Sequence, residues 1–177
     1  MDKSSLPIIY LSILVAFLAV SAILVLRQVI KTRRVETRFN KLQNKLTKQK
    51  GTAQEYYELS SIYLDKKLYT QSVSLLQKAL KAKDLKGDEN AALIYNALGF
   101  AYACQEQYDL AIRQYKEALD RAPDYVTCLN NLGFAYEKKQ LAAQALETYE
   151  EALKHDPSNS VAKRRAESLR KRFAPAS

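Results

Sequence analysis

The pattern of apolar and polar positions divides the chain into one apolar run and a series of amphipathic helices. Residues Leu6 to Leu26 are dominated by apolar side chains and carry no charge. From residue 53 onwards, apolar positions recur at steps of three and four residues, which predicts helices with one buried face. We therefore predict an all-α protein, in which an N-terminal helix that is apolar on all sides precedes helices that pack on one another.

One pattern of residues occurs twice between residues 92 and 159. The segment 96–102 (NALGFAY) returns as segment 130–136 (NNLGFAY), 34 residues later. A period of 34 is typical of stacked helix–turn–helix units. Glycine inside a helix costs roughly 0.5–1 kcal/mol relative to alanine, so Gly99 and Gly133 are expected to mark close contacts between helices. The downstream residues that recur at the same spacing are Ala111, Tyr115, Ala118, Leu119 and Pro123, matched by Ala145, Tyr149, Ala152, Leu153 and Pro157.

This order of residues resembles the tetratricopeptide repeat. The resemblance rests on the motif large-x-x-Leu-Gly-x-x-Tyr, followed by Ala-x-x-x-aromatic-x-x-Ala and then Pro. The usual tryptophan near the start of the repeat is absent, and Tyr95 and Leu129 take its place. The resemblance implies an α-solenoid, in which the first helix of each unit lines a concave face that binds segments of partner proteins.

A more divergent unit precedes the two regular ones, and a basic segment follows them. In the first unit, Ser60 replaces the glycine, Ser72 replaces the first alanine and Asp84 replaces the proline, and residues 87–91 form a short insertion. The basic segment is expected to be a helix that covers the last repeat; a tail that binds a partner is the alternative. The predicted domains are a transmembrane anchor (1–26), a basic juxtamembrane helix or linker (27–52), repeat 1 with the insertion (53–91), repeat 2 (92–125), repeat 3 (126–159), and a basic capping helix and tail (160–177).

The apolar run has the length of a membrane span. As a helix, its 21 residues extend about 30 Å, which matches the hydrocarbon core of a bilayer. The alternative is a signal peptide that is cleaved after Ala22 to release a soluble secreted protein. The run continues to Leu26 and then meets a dense basic cluster, which favours an uncleaved anchor.

Charge on the two sides of the predicted span indicates its orientation. Lys3 is the only basic side chain before the span, whereas a cluster follows it. The positive-inside rule therefore places the repeats on the cytosolic side, or on the stromal side in a plastid. The same cluster is predicted to lie against anionic lipid; the alternative is that it serves topology alone. Its members are Arg27, Lys31, Arg33, Arg34 and Arg38.

The distribution of charge argues against a nucleic-acid-binding protein, although the chain has a net charge of +9. Residues 27–50 hold nine basic residues and one acidic residue, and residues 160–177 hold six and one. The repeats between them, residues 53–159, hold 12 basic and 16 acidic residues. A domain that binds nucleic acid would present its basic surface on the folded body.

No pattern in the sequence indicates catalysis, a metal site or a cofactor. Phosphate-binding loops, nucleophile motifs and zinc-binding helix motifs are absent. Cys104 and Cys128 form no C-x-x-C pair and are expected to be reduced, buried structural residues on the first helices of their repeats. His155 lies at the predicted end of a helix, where it favours the helix dipole. We therefore expect no enzyme activity.

The remaining candidate site is the groove that the resemblance implies. Asparagine is a poor helix former, so two asparagines at matching repeat positions need an explanation. One explanation is that their amides hydrogen-bond the backbone of an extended peptide while the phenylalanines grip its apolar side chains. The alternative is that the asparagines bridge adjacent repeats and the phenylalanines belong partly to the core. Repeats that clamp the carboxylate of a chaperone use Lys and Arg here, and these positions have none. The predicted groove residues are Tyr57, Ser61, Asn96, Phe100, Asn130 and Phe134.

The complete arrangement is similar to that of a family of small thylakoid proteins. These are the membrane-anchored tetratricopeptide-repeat proteins of cyanobacteria and algal plastids that act in photosystem I assembly. The resemblance implies a scaffold that binds photosystem I subunits at the membrane and holds no pigment or other cofactor. The alternative is a membrane-tethered adaptor for another bacterial complex, in the envelope, in secretion or in division.

Overall fold

The computed structural model describes residues 6–173, which form eight α-helices and no β-strand. The predicted all-α class is confirmed for these residues. Met1 to Ser5, with the basic Lys3, and residues 174–177 of the predicted tail lie outside the described residues. The helices are α1 (Leu6–Lys48), α2 (Ala53–Asp65), α3 (Tyr69–Leu80), α4 (Asp88–Cys104), α5 (Tyr108–Leu119), α6 (Val126–Lys138), α7 (Ala142–His155) and α8 (Ser160–Phe173).

Helix α1 runs without a break through the predicted anchor and most of the basic segment. Its apolar side chains are exposed; Phe17, for example, is 67% exposed. By length and composition, α1 is a candidate membrane span. An apolar surface of this extent around a whole helix is unfavourable in water. Moving each of these side chains from water into an apolar environment would lower the free energy by about 1.5–3 kcal/mol.

The break between α1 and α2 follows the predicted start signal. Thr52 caps α2: its Oγ1 accepts a hydrogen bond from the Glu55 amide at 3.1 Å, and the Thr52 amide donates to Glu55 Oε2 at 3.1 Å. This reciprocal pair is a capping box, which satisfies two amides that have no partner within the helix. The ammonium group of Lys45 also binds the Glu55 carboxylate.

Each repeat is a pair of helices joined by the same tight turn. The pairs are α2 with α3, α4 with α5, and α6 with α7. One residue of each turn has a left-handed backbone, with φ of 59° at Lys67, 59° at Glu106 and 61° at Gln140. The next amide then donates to a carbonyl five residues earlier, for example Leu141 N to Tyr136 O at 2.9 Å. This is the hydrogen bond of a Schellman motif, which ends the first helix.

Small residues bring the two helices of a repeat together. A β-carbon built on Gly99 would lie 2.6 Å from the ring of Tyr115, and one built on Gly133 would lie 2.7 Å from the ring of Tyr149. Both rings are fully buried, as are the alanines around them. The predicted close contact at each glycine is therefore present. In repeats 2 and 3, the alanines with 0% exposure are Ala101, Ala111, Ala118, Ala135, Ala145 and Ala152.

The insertion between repeats 1 and 2 is helical. Gly87, with φ of 80°, lies at the N-cap of α4, so α4 begins at Asp88, before the predicted start of repeat 2 at residue 92. The Ala53 amide donates a bifurcated hydrogen bond to both carboxylate oxygens of Asp84, which replaces the usual proline, at 3.1 and 3.2 Å. Asp84 therefore has a structural role of its own.

Helix α8 covers the last repeat, as predicted for a capping helix. Ala162, Ala166 and Leu169 are buried, and α8 packs on α7. Asn159 starts the helix, since its Oδ1 accepts a hydrogen bond from the Ala162 amide at 2.9 Å. The basic Arg170 of α8 pairs with Glu150 of α7 at 2.7 Å.

Candidate partner-binding groove

The first helices of the repeats form one layer of the stack. Helix α2 contacts α4, and α4 contacts α6, in addition to the contacts that each makes within its own repeat. In a curved stack, the helices that approach one another across repeats lie on the inner side. All six predicted groove residues lie on these three helices, two on each.

The two predicted asparagines make equivalent hydrogen bonds to the residue that directly precedes a later helix, Tyr125 before α6 and Asn159 before α8. Asn96 Nδ2 donates to Tyr125 Oη at 3.2 Å, and Asn130 Nδ2 donates to Asn159 Oδ1 at 3.2 Å. Asn96 Oδ1 also accepts from Asn131 Nδ2 at 3.0 Å. The bond between Asn96 and Asn131 joins repeats 2 and 3, as the alternative interpretation expects, whereas the bond from Asn130 to Asn159 lies within repeat 3. Asn130 Oδ1 is buried and has no hydrogen-bond partner among the described residues.

The two phenylalanines are more exposed than core residues. Phe100 is 43% exposed and Phe134 is 37% exposed, although each lies one helical turn after a half-buried asparagine. Aromatic rings of this exposure offer apolar surface to a ligand. The alternating amides and rings therefore give the inner layer both hydrogen-bonding and apolar groups.

Tyr57 lies beside a cavity at the N-terminal end of the inner layer. The cavity has a volume of about 130 Å³, and α2, α4 and the loop between α3 and α4 supply its walls. Burial raises the pKa of Tyr125, and the Tyr57 hydroxyl raises it further. The Ser61 hydroxyl donates a hydrogen bond to the backbone carbonyl of Tyr57, in the same helix, at 3.0 Å.

Two cations that the repeat alignment did not predict lie over the ring of Phe134. Lys138 Nζ is 5.4 Å and Arg165 Cζ is 5.9 Å from the ring centre. Lys138 comes from the last turn of α6, and Arg165 reaches the ring from α8. The sequence signal for Lys138 was its spacing of one helical turn from Phe134. Arg165 had none, because its place depends on how α8 packs.

Glu137 connects Arg165 to the core of repeat 3. Its Oε1 accepts a hydrogen bond from Tyr149 Oη at 2.8 Å, and its Oε2 lies 3.4 Å from Arg165 Nη1. Burial and the bond to Glu137 raise the pKa of Tyr149, so this phenol stays neutral. Glu137 thus holds Arg165 near Phe134 while occupying one side of its guanidinium group.

The cysteines differ in environment, and the expectation of two buried residues holds for one of them. Cys128 is fully buried, and burial raises the pKa of its thiol to about 12. Cys104 lies at the end of α4 and is exposed, which corrects its expected burial. Within residues 6–173, no group of His, Cys, Asp or Glu side chains has the arrangement of a metal site.

The predicted membrane-surface residues lie together on α1, directly after its apolar part. Arg27, Lys31, Arg33, Arg34 and Arg38 are all exposed. They occupy about three turns of helix, and Glu36 is the only acidic residue among them. This part of α1 therefore has a dense positive charge.

Comparison with known proteins supports the repeat assignment. Two family models, both described as tetratricopeptide repeat, match residues 51–124 and 104–166. The chain is 39% identical to the ycf37 protein of Cyanophora paradoxa over 91% of each chain, and 34% identical to ycf37 of Guillardia theta over 71% of each. It is 37% identical to the chloroplastic tetratricopeptide repeat domain-containing protein PYG7 of Arabidopsis thaliana, covering 95% of this chain and 56% of that one.

Solved structures show the same fold at low sequence identity. MamA aligns with a TM-score of 0.69 and 18% identity, over 76% of each chain. The first repeat domain of RPAP3, solved with the HSP90 peptide SRMEEVD, aligns with a TM-score of 0.63 and 18% identity, over 70% of this chain and 94% of that one. At this identity the likeness extends to the fold alone.

Proposed function

The chain belongs to the ycf37 family of tetratricopeptide-repeat proteins, and from this membership we propose that it is a membrane-anchored scaffold for the assembly of photosystem I in the thylakoid. The observation that supports the proposal most directly is the 39% identity to a ycf37 protein over 91% of the chain. The chloroplastic relative in Arabidopsis thaliana supports a photosynthetic membrane. The scaffold binds protein subunits, and no step of its action requires a cofactor.

Helix α1 supplies the anchor in this proposal. Its apolar part is long enough to cross a bilayer, and the exposed basic cluster follows at once. Basic side chains near an anionic leaflet contribute about 1 kcal/mol each, so Arg27 to Arg38 hold the start of the repeat domain close to the lipid surface. The repeats lie on the stromal side in a plastid or on the cytosolic side in a cyanobacterium.

The inner layer of first helices supplies the binding groove. Phe100 and Phe134 are its exposed apolar groups, and Tyr57 lines the cavity at its N-terminal end. An extended segment of a partner places apolar side chains against these rings. Asn96 and Asn130 each use one amide hydrogen in the bonds described above, which leaves a second Nδ2 hydrogen as a donor beside the rings.

The test is a pull-down of the tagged full-length chain from photosynthetic membranes in mild detergent. We expect the wild-type chain to recover photosystem I polypeptides, and the variant Phe100→Ala with Phe134→Ala to recover far less. Leu110→Ala is the matched control, because Leu110 is equally exposed, at 42%, but lies on the second helix α5.

Three outcomes separate the parts of the proposal. Recovery of photosystem I polypeptides that depends on the two phenylalanines supports both the partner and the groove. Equal recovery by the wild type and the phenylalanine variant assigns binding to another surface. Recovery of a different membrane complex, or of none under several mild detergents, contradicts the photosystem I assignment.

A further inference from the structure

The groove is neutral at repeat 2 and cationic at repeat 3. Lys138 and Arg165 flank the ring of Phe134, whereas the residues 34 positions earlier, beside Phe100, are Cys104 and Asn131. The two repeats therefore present the same ring in different electrostatic surroundings. This difference lies within a repeat body that is otherwise acidic in composition.

Lys138 and Arg165 can both bind a further anion. Lys138 is exposed and pairs with no carboxylate within residues 6–173. Arg165 lies near Glu137 through Nη1 only, and a guanidinium has five N–H donors in a planar fork. The side-chain exposure of Arg165 is 39%, while that of Glu137 is 17%. The positive groups thus face solvent, and the carboxylate behind them does not.

We propose that Phe134, Lys138 and Arg165, here named the cationic corner, bind an acidic segment of a protein partner. An apolar side chain of the segment packs on the Phe134 ring, and an adjacent Asp or Glu carboxylate binds Lys138 and Arg165. The neighbouring part of the segment runs past Asn130 towards Phe100. This inference rests on the proposed function, since it names the kind of segment that the groove selects.

Charge complementarity argues for an acidic segment in one orientation. Cations at one end of a groove attract a carboxylate there and repel a basic side chain, which fixes the direction of a bound peptide. The ring between the cations requires an apolar neighbour, because a fully charged segment would leave Phe134 uncovered. An anionic lipid headgroup shares the charge but places no second apolar group near Phe100, so the structure favours a peptide.

The experiment uses the purified full-length chain in uncharged detergent and fluorescein-labelled decapeptides. One peptide carries a leucine flanked by Asp and Glu, and its counterpart carries Asn and Gln in their place. Fluorescence anisotropy at low and high salt measures both affinities. We expect the acidic peptide to bind about fivefold more tightly at low salt, as two exposed ion pairs would give, and to lose this preference at high salt.

Substitutions at Lys138 and Arg165 test whether the preference for the acidic peptide arises at the cationic corner. Lys138→Gln is expected to lower the preference by about twofold, and adding Arg165→Gln is expected to remove it. Lys138→Gln tests the corner even if loss of Arg165 loosens α8, because Lys138 makes no ion pair there. Lys116→Gln, an equal change of charge on α5, is the control and should leave the preference unchanged.

Failure of the acidic-segment inference can be distinguished from failure of the proposed function. Equal binding of the two peptides, or binding of neither, overturns the acidic-segment inference even if photosystem I subunits are recovered in the pull-down. A preference that survives both variants also overturns it. If short-chain phosphatidylglycerol binds the wild type and loses affinity in Lys138→Gln, while the acidic peptide shows no dependence on Lys138, the corner is a lipid contact and the inference is wrong.

Discussion

Gly99 lies directly against the ring of Tyr115, so closely that an added β-carbon would stand 2.6 Å from both Cδ1 and Cε1 of the ring. The ring is 1% exposed and cannot move away into solvent. Gly99→Ala is therefore expected to lower the free energy of unfolding by about 1–3 kcal/mol, which is the usual cost of overpacking a core. The better helix propensity of alanine offsets up to about 1 kcal/mol of that cost.

Repeat 1 shows which residue pair accommodates a side chain at the position of Gly99. Its equivalents of Gly99 and Tyr115 are Ser60 and Leu76, and both are fully buried. The smaller leucine leaves room for the serine side chain. Gly99→Ser should therefore cost less in a Tyr115→Leu background than in the wild type. Urea unfolding of the four chains in detergent measures the coupling; additive effects would contradict the steric explanation.

The two regular repeats could be predicted from pairs such as Gly99 and Tyr115, because a small residue and a large one recur there at a fixed spacing. The turns within the repeats could not. Lys67, Glu106 and Gln140 adopt a left-handed backbone that glycine usually supplies, and their side chains give no indication of it. The helical insertion at Asp88 was missed for a related reason, since its polar residues resemble a loop.

The candidate groove was predictable only in part. The spacing of Phe100 and Phe134 placed both on the first helices, and the structure leaves both exposed. The bonds of Asn96 to Tyr125 and Asn131 depend on how adjacent repeats stack, which the sequence of one repeat does not encode. The same holds for Arg165, which reaches Phe134 only because α8 packs as a further unit.

The two thiols should differ sharply in reactivity. Cys104 is exposed, whereas Cys128 is buried and the pKa of its thiol is about 12, so thiolate is scarce there at neutral pH. We expect a maleimide to label Cys104 in the native chain and to label Cys128 only after denaturation. Peptide mapping by mass spectrometry measures both, and Cys104→Ser is the control that should abolish native labelling. Rapid native labelling of Cys128 would show that repeat 3 opens readily.

The capping box at the start of α2 predicts acid sensitivity. Hydrogen bonds from Lys45 and then from the Thr52 amide hold the pKa of Glu55 below its ordinary 4.5. A carboxylate with a depressed folded-state pKa contributes stability that is complete above the unfolded pKa and is lost as the pH falls through the folded value. The contribution of Glu55 should therefore be present above pH 4.5 and decline below it.

Glu55→Gln tests that assignment. The variant keeps the length of the side chain but has no charge to lose, so its stability should fall less between neutral and acidic pH than that of the wild type. Circular dichroism during urea titration at both pH values measures the difference. Glu58→Gln, a neighbouring substitution outside the capping box, is the comparison; an equal pH response of the two variants would contradict a special role for Glu55.

Asn96 is expected to stabilise the stack as well as to face the groove. Asn96→Ala removes the donor to Tyr125 and the acceptor for Asn131. Because a part-buried partner is then left without a hydrogen bond, the free energy of unfolding should fall by about 1–3 kcal/mol. Phe100→Ala, on the same face, removes an exposed ring and should cost less. Comparing the urea midpoints of the two variants checks this; equal midpoints would assign the amide to binding alone.

The topology of the anchor leads to the last prediction. A protease added to the stromal or cytosolic face of sealed membranes should remove the repeats and leave α1 in the membrane, because the basic cluster from Arg27 to Arg38 resists translocation. The intact mass of the mature chain should include residues before Ala22, since the apolar helix continues past that position to Leu26. Membranes opened with detergent are the control for the protease. Protected repeats would reverse the orientation, and a mass that begins after Ala22 would replace the anchor with a signal peptide. The second result would also remove the reason for placing the groove beside a membrane complex, because the cleaved chain would have no anchor.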